Sequence, residues 1–244
     1  MNEPPMGILA RSAAVTLLLA REGPLTPADI SERTGMPRAS VYRLVDALGT
    51  IGLTEPRSSG QVGLSLRWLR LADAASVALL EWTGADAVLD DLARRTGQTA
   101  FLSLPRPDGA LCIRWVQRGE IGVLALRPAR SLPLHAGAAG RLCLAYRGDL
   151  QDVLARAPFP RLTARTLTTA EELFADVAAT RARGYAVSDQ DVTEGIAALG
   201  AAVLDDKGRL SAAVSIGGLA TDFDRNRPDF VNALRDAAAQ LSAR

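Results

Sequence analysis

Apolar positions follow a helical period in the first third of the chain and strand-like alternation later. Over residues 8–21, Ile8, Leu9, Val15, Leu18 and Leu19 form one helical face. Val41, Leu44, Val45 and Leu48 form a second, at i, i+3, i+4 and i+7. The residues between them punctuate two short helices. Thr26 is an N-cap, Pro27 suits the first helical position, and Asp29 three residues on supplies a capping-box partner, so a helix begins at Thr26. Gly35 ends it and Pro37 starts the next, a spacing that predicts a helix-turn-helix. Opposite the apolar face, Arg38, Ser40, Tyr42 and Arg43 are donors with no carboxylate before Asp46, the chemistry that meets phosphates and base edges in a major groove. The following GLTEPRSSGQVGL reads as two short strands around a turn, a wing that lies along the DNA backbone or in the minor groove with Arg57 at its tip.

Leu64, Trp68, Leu71, Ala75, Ala78 and Trp82 are spaced 4, 3, 4, 3, 4, a heptad seam, with Leu69 and Leu80 on a second apolar side. Such a helix links two domains and packs on a second chain, or else it is a connector packed within its own monomer. A helix over 85–95 closes at Gly97, and strands over 99–104 and 110–117 flank the turn Arg106-Pro107-Asp108-Gly109. A third strand is expected over 121–127. Helices are expected over 136–146, 151–157 and 170–183, strands over 196–204 and 209–216, and a last helix over 228–241. This is an antiparallel sheet with helices packed on it, an α+β domain.

Composition narrows the class more than the function. The 244 residues, 48% hydrophobic, suffice for two small domains or one large one, and a net charge of +1 neither demands nor excludes a polyanion. Locally the balance differs: residues 38–70 hold five arginines and two carboxylates, an excess of three positive charges. Lys207 is the sole lysine against 27 arginines, a bias that weakens any argument from the choice of Arg at one position. Two cysteines, Cys112 and Cys143, with no secretory apolar region, point to a reducing compartment, the cytoplasm. Apolar runs fall well below the ~20 residues of a membrane span, so no membrane partner is expected.

Catalysis finds little support. His135 is the only histidine, so any Ser-His-Asp arrangement depends on it. One histidine and two distant cysteines give no usual zinc spacing, and neither GAAG nor SIGG continues as a phosphate loop or dinucleotide fingerprint. No catalytic residue, metal or cofactor is expected.

TGMPRASVYRLVDALGTIGL, LPLHAGAAGRLCLAY and RARGYAVSDQDVTEGIAALGAAVLDDKGRLSAAVSIGG occur in the order and spacing of one family. On these the chain resembles the IclR family of bacterial transcription regulators, from about residue 6 to 241. The resemblance implies an N-terminal winged helix-turn-helix (6–65), a linker helix (66–84) and a C-terminal GAF-like α+β effector domain (85–244). It implies a homodimer or homotetramer on double-stranded operator DNA, contacted by Arg38, Ser40, Tyr42, Arg43 and Arg57. It further implies a small organic-acid effector, aromatic acids included, held by Leu132, Ala138, Ala139, Ser188, Ile196, Ala198, Ser215 and Gly217. Relatives that take glyoxylate or pyruvate have an acidic residue at Ser188, a cysteine at Ala198 and a second serine at Gly217, so the resemblance favours a larger or more apolar acid here. Arg114 and Arg127, on expected strands, either face that acid or point to solvent. The alternative is a DNA-binding oligomer whose second domain binds no ligand.

Overall fold

The computed structural model describes residues 7–118 and 126–242. Contacts divide the chain into two compact units, Met1–Glu81 and Trp82–Arg244.

The first unit contains α1 (Ile8–Glu22), α2 (Pro27–Thr34), α3 (Arg38–Thr50), strands β1 (Thr54–Pro56) and β2 (Val62–Leu64), and α4 (Arg67–Ser76). The capping box at α2 forms: the Thr26 hydroxyl accepts from the Asp29 amide, and Asp29 accepts from the Thr26 amide at 3.0 Å. The Thr26 hydroxyl also donates to Asp29 Oδ2 at 2.7 Å, and this bond first and the Thr26 amide's second hold the Asp29 carboxyl below its ordinary pKa. Gly35 closes α2 in the left-handed conformation, which a residue with Cβ adopts at a cost. Val41, Leu44, Val45 and Leu48 of α3 are all buried, against Val15, Leu19, Ile30 and Met36. On α1 the expected face is only partly used: Val15 and Leu19 are buried, whereas Ile8 and Leu9 are exposed. β1 and β2 pair antiparallel, and Val62 bridges to Leu25.

The expected seam does not run as one α-helix. α4 stops at Ser76 and the chain continues as 3₁₀ turns over Val77–Trp82. Leu64 packs on the winged core and the Trp68 indole donates to the Leu53 carbonyl at 2.7 Å, so the first two seam positions are spent inside their own unit. Leu66, Leu69, Leu71 and Leu80 are exposed.

The second unit is α5 (Ala85–Thr96), β3 (Thr99–Arg106), β4 (Gly109–Val116), β5 (Ser131–Pro133), α6 (Ala138–Ala145), α7 (Leu150–Leu154), α8 (Ala170–Arg183), β6 (Ala186–Asp189), β7 (Ile196–Leu204), β8 (Leu210–Leu219) and α9 (Ala220–Ser242). Six strands form one antiparallel sheet in the order β5-β4-β3-β8-β7-β6. α5 and α9 cover one face and α6, backed by α8, the other. Two expectations change. The strand expected over 121–127 lies mostly outside the described residues, and Leu126 and Arg127 are not in a strand; the strand beside β4 is β5. The last helix begins at Ala220, eight residues before the Pro228 that was to open it, so Pro228 lies inside α9. Phe223 and Phe230, both buried, meet edge-to-face with ring centroids 5.2 Å apart. That burial on both sides of Pro228 holds the preceding turns helical despite the missing N–H.

Candidate functional site

Two sites were expected, one on each unit. On α3, Arg38, Tyr42 and Arg43 are exposed and Ser40 is half-buried, one turn from the helix N-terminus. Arg43 makes only a long contact, Nε to the Ala39 carbonyl at 3.4 Å, and Arg38 has no partner among the described residues. The Ser31 hydroxyl bonds the Met36 carbonyl at 2.6 Å and the Thr54 hydroxyl the Val45 carbonyl at 3.2 Å, fixing α3 between the turn and the wing. In the wing, Arg57 is already engaged: its Nη2 is 2.6 Å from Glu55 and 3.3 Å from the Leu64 carbonyl. A phosphate would have to compete with Glu55. Arg67 likewise donates to the Ile51 carbonyl, so the local excess of charge is less free than the residue count suggests.

On the second unit the pairing registers bring distant residues into two adjacent rows on the α6 face of the sheet. Ser188, Ala198 and Gly217 lie side by side on β6, β7 and β8, and Ala186, Gly200, Ser215 and Phe101 form the next row. Small residues there leave room under the start of α6. The result is a cavity of about 50 Å³, and all eight residues expected at an effector site line it: Leu132, Ala138, Ala139, Ser188, Ile196, Ala198, Ser215 and Gly217. Phe101, Leu126, Gly137, Val192 and Thr193 complete the wall. Gly137 is required twice over: its φ is +73°, and a Cβ would meet Leu132 Cδ1 at 2.5 Å. Ala138 also packs against β7, 3.3 Å from where a Gly200 Cβ would stand, so it is wall and packing contact at once.

The walls are largely apolar with a few polar groups. The Ser215 side chain is buried and makes no hydrogen bond within the described residues. The amides of Ala138 and Ala139, at the first turn of α6, carry the partial positive charge of a helix N-terminus. Ser188 is not free, because its hydroxyl donates to Asp191 Oδ1. Asp191, almost fully buried, also accepts from the Gly137 amide at 3.0 Å and from Arg141 Nη1 at 3.1 Å. Arg141 in turn grips Asp176 of α8 through Nε at 2.8 Å and through Nη2.

A loop over 159–168 braces the same residues from outside. His135 stacks on Phe159 with centroids 5.1 Å apart, and its Nε2 lies 2.9 Å from the Pro160 carbonyl. The Thr163 and Thr166 hydroxyls donate to the Gln190 and Asp191 carbonyls, each at 2.7 Å. The only histidine is thus engaged in packing. Burial pushes the thiols of Cys112 and Cys143 up to about 12, which leaves them protonated and unreactive at neutral pH.

Asp191, Arg141, Thr166 and Thr193 were absent from the expected site. The first three act through a bond from outside the cavity wall, and the sequence marks only that carboxylates and an arginine lie somewhere near. Arg114 and Arg127 do not line the cavity; Arg114 sits 3.8 Å from Asp86.

The comparisons with known proteins agree over both units. The IclR helix-turn-helix domain matches residues 9–58, and the bacterial transcriptional regulator IclR C-terminal domain matches residues 81–243. The glycerol operon regulatory protein of Streptomyces griseus is 30% identical over 248 residues, covering 96% of this chain and 94% of its own. An IclR transcriptional regulator from Alicyclobacillus acidocaldarius superposes with a TM-score of 0.79 at 26% identity, covering 99% of each chain. An IclR homolog from Microbacterium hydrocarbonoxydans, solved with 4-hydroxybenzoate, gives a TM-score of 0.78 at 25% identity, covering 97% of this chain and 98% of its own. With a helix-turn-helix and an effector-type second unit matched in one order along the sequence, the chain belongs to the IclR family of DNA-binding transcription regulators.

Proposed function

We propose that this regulator binds operator DNA through Arg38, Ser40, Tyr42 and Arg43, with Arg57 on the backbone, and that a small organic acid in the cavity of the second unit alters that binding. The working form is a homodimer or homotetramer in the cytoplasm, and no catalytic step is assigned. The observation that carries the effector reading is the Ser215 hydroxyl, without a partner among the described residues, in a mainly apolar cavity beside the first-turn amides of Ala138 and Ala139. Those donors suit a carboxylate, and the apolar walls suit a hydrocarbon body. The Microbacterium protein solved with 4-hydroxybenzoate supports an acid ligand of this kind. A cavity of about 50 Å³ is well below the roughly 300–1,000 Å³ of an ordinary ligand pocket, so an acid of either kind enters only as the walls move outward. Among the described residues, no helix is long and apolar enough to cross a membrane.

Two substitutions test the two sites. Arg43→Ala should weaken binding to an operator selected from random duplex DNA by about 1–3 kcal/mol, measured by fluorescence anisotropy at fixed salt. Unchanged affinity, with the circular dichroism spectrum intact, would remove Arg43 from the contact set. Ala198→Val, whose added methyls point into the cavity from a strand that tolerates branching, should abolish the thermal shift given by organic acids while changing the urea-derived stability by less than about 1 kcal/mol. A loss nearer 3 kcal/mol would mean overpacking, and would favour the reading in which the second unit holds no ligand.

A further inference from the structure

We infer that Ser65 and Trp68 are positioning residues that fix the distance between the two half-sites the protein reads, because they lock the end of the recognition helix α3 to the start of α4. This rests on the homodimer reading, with α4 facing the second copy. Three residues, Ile51, Gly52 and Leu53, make the joint. Their amides turn back to α3, donating to the carbonyls of Ala47 at 3.2 Å, Gly49 at 2.9 Å and Leu48 at 2.8 Å. Their carbonyls turn forward. Ile51 accepts from Arg67 Nη1, Gly52 from the Ser65 hydroxyl, and Leu53 from the Trp68 indole at 2.7 Å and the Ser65 amide at 3.2 Å. Gly52 permits the turn: its φ is +73°, and a Cβ there would stand 3.2 Å from Arg67 Nη1. A segment whose amides and carbonyls are all committed, one set to each helix, gives α4 little freedom to swing.

The consequence is one of length. α3 has 13 residues, roughly 20 Å, and the joint is at its C-terminal end, whereas Arg38, Ser40, Tyr42 and Arg43 stand at the other. A tilt of ~10° at the joint therefore moves the reading end by roughly 3.5 Å, about one base-pair step. Beyond the joint, α4 exposes Leu66, Leu69 and Leu71. A second copy packed on those leucines holds α3 at the angle the joint sets, and a free swing there would spread the two reading ends over several spacings. Hydrogen bonds suit this task better than apolar contact, because they fix a direction and the hydrophobic effect does not.

Fluorescence anisotropy of the full chain with three duplexes tests this: an operator selected from random DNA, the same operator with one base pair inserted at its centre, and one half of it. For the unaltered protein the insertion should weaken binding roughly tenfold or more, since a rigid dimer then meets only one half-site well. Ser65→Ala combined with Trp68→Phe keeps an aromatic ring and removes both side-chain bonds. It should leave the half operator bound within about twofold of the unaltered protein, weaken the full operator about two- to tenfold, and shrink the insertion penalty to roughly threefold or less. A merely structural role would weaken all three duplexes alike and leave the penalty unchanged. Should the double variant give no cooperative thermal melt, each single change, which removes one bond from a half-buried side chain, carries the same comparison. An insertion penalty equal in the two proteins, or absent from an unaltered protein that is a dimer by light scattering, overturns the inference and leaves the homodimer reading standing. An unaltered protein that is monomeric, or that binds the half operator as tightly as the whole, overturns the homodimer reading and this inference with it.

Discussion

Arg141→Ala is expected to lower the free energy of unfolding by about 3–5 kcal/mol, the cost of stripping a buried carboxylate pair of its cation. Burial pulls the Arg141 pKa down, but the Asp176 hydrogen bonds and the charges of Asp176 and Asp191 pull harder, and the net shift is upward. The guanidinium therefore stays charged and joins α6, α8 and the residues after β6. Without it, Asp176 keeps only the 3.6 Å approach of Arg183, and Asp191, with a side chain 1% exposed, keeps only the Gly137 amide and Ser188. Typical domains have 5–15 kcal/mol in hand, so the variant should unfold at clearly lower urea. Combining Arg141→Met with Asp176→Leu should recover only the part of the loss owed to Asp176, because Asp191 stays buried without its cation. A single-variant loss below about 1 kcal/mol would show that water already reaches the network.

Leu71→Asp is expected to halve the mass of the assembly by light scattering and to cut operator affinity by roughly 10²–10⁴-fold. Leu71 is 46% exposed and Leu69 67% exposed on α4, beside Leu66 at 69%, and α1 leaves Ile8 and Leu9 exposed as well. Exposed leucines in such number on two helices are better explained by a second copy of the chain than by solvent. A carboxylate introduced at such a contact must be desolvated without a partner, whereas in a lone chain it stays in water and costs little. The variant should therefore fold normally and fail only to assemble. A two-fold protein that separates loses its second half-site, hence the large effect on DNA. The idea fails if the unaltered protein is monomeric at micromolar concentration yet binds a palindromic operator tightly, or if Leu71→Asp remains assembled.

Short-range signals in the sequence carried the winged unit. Thr26, Asp29, Gly35 and Pro37 act on backbone within four residues of themselves, and the face of α3 is set by the helical period alone, so their outcome is local. The same holds for the turn at Asp108-Gly109 between β3 and β4. What failed was decided at a distance. Pro228 reads as a helix start, yet Phe223 and Phe230 are held in a core that the sequence does not display. The heptad spacing from Leu64 to Trp82 continues through a stretch where the backbone changes to 3₁₀ turns, and its first two positions, Leu64 and Trp68, are drawn to their own winged core.

The cavity divides in the same way. Its small residues were legible through motif order, but no local rule could set Ser188 beside Ala198 and Gly217, which requires the sheet order β8-β7-β6. Nor could it show that the Ser188 hydroxyl is committed to Asp191 while the Ser215 hydroxyl has no partner among the described residues. That difference comes from Asp191 and from Arg141, 50 residues earlier in the chain, meeting at the start of α6. Caps, turns and periods are written in neighbouring residues and survive in the sequence alone; the direction of a buried hydroxyl depends on partners that only folding brings within 3 Å or so.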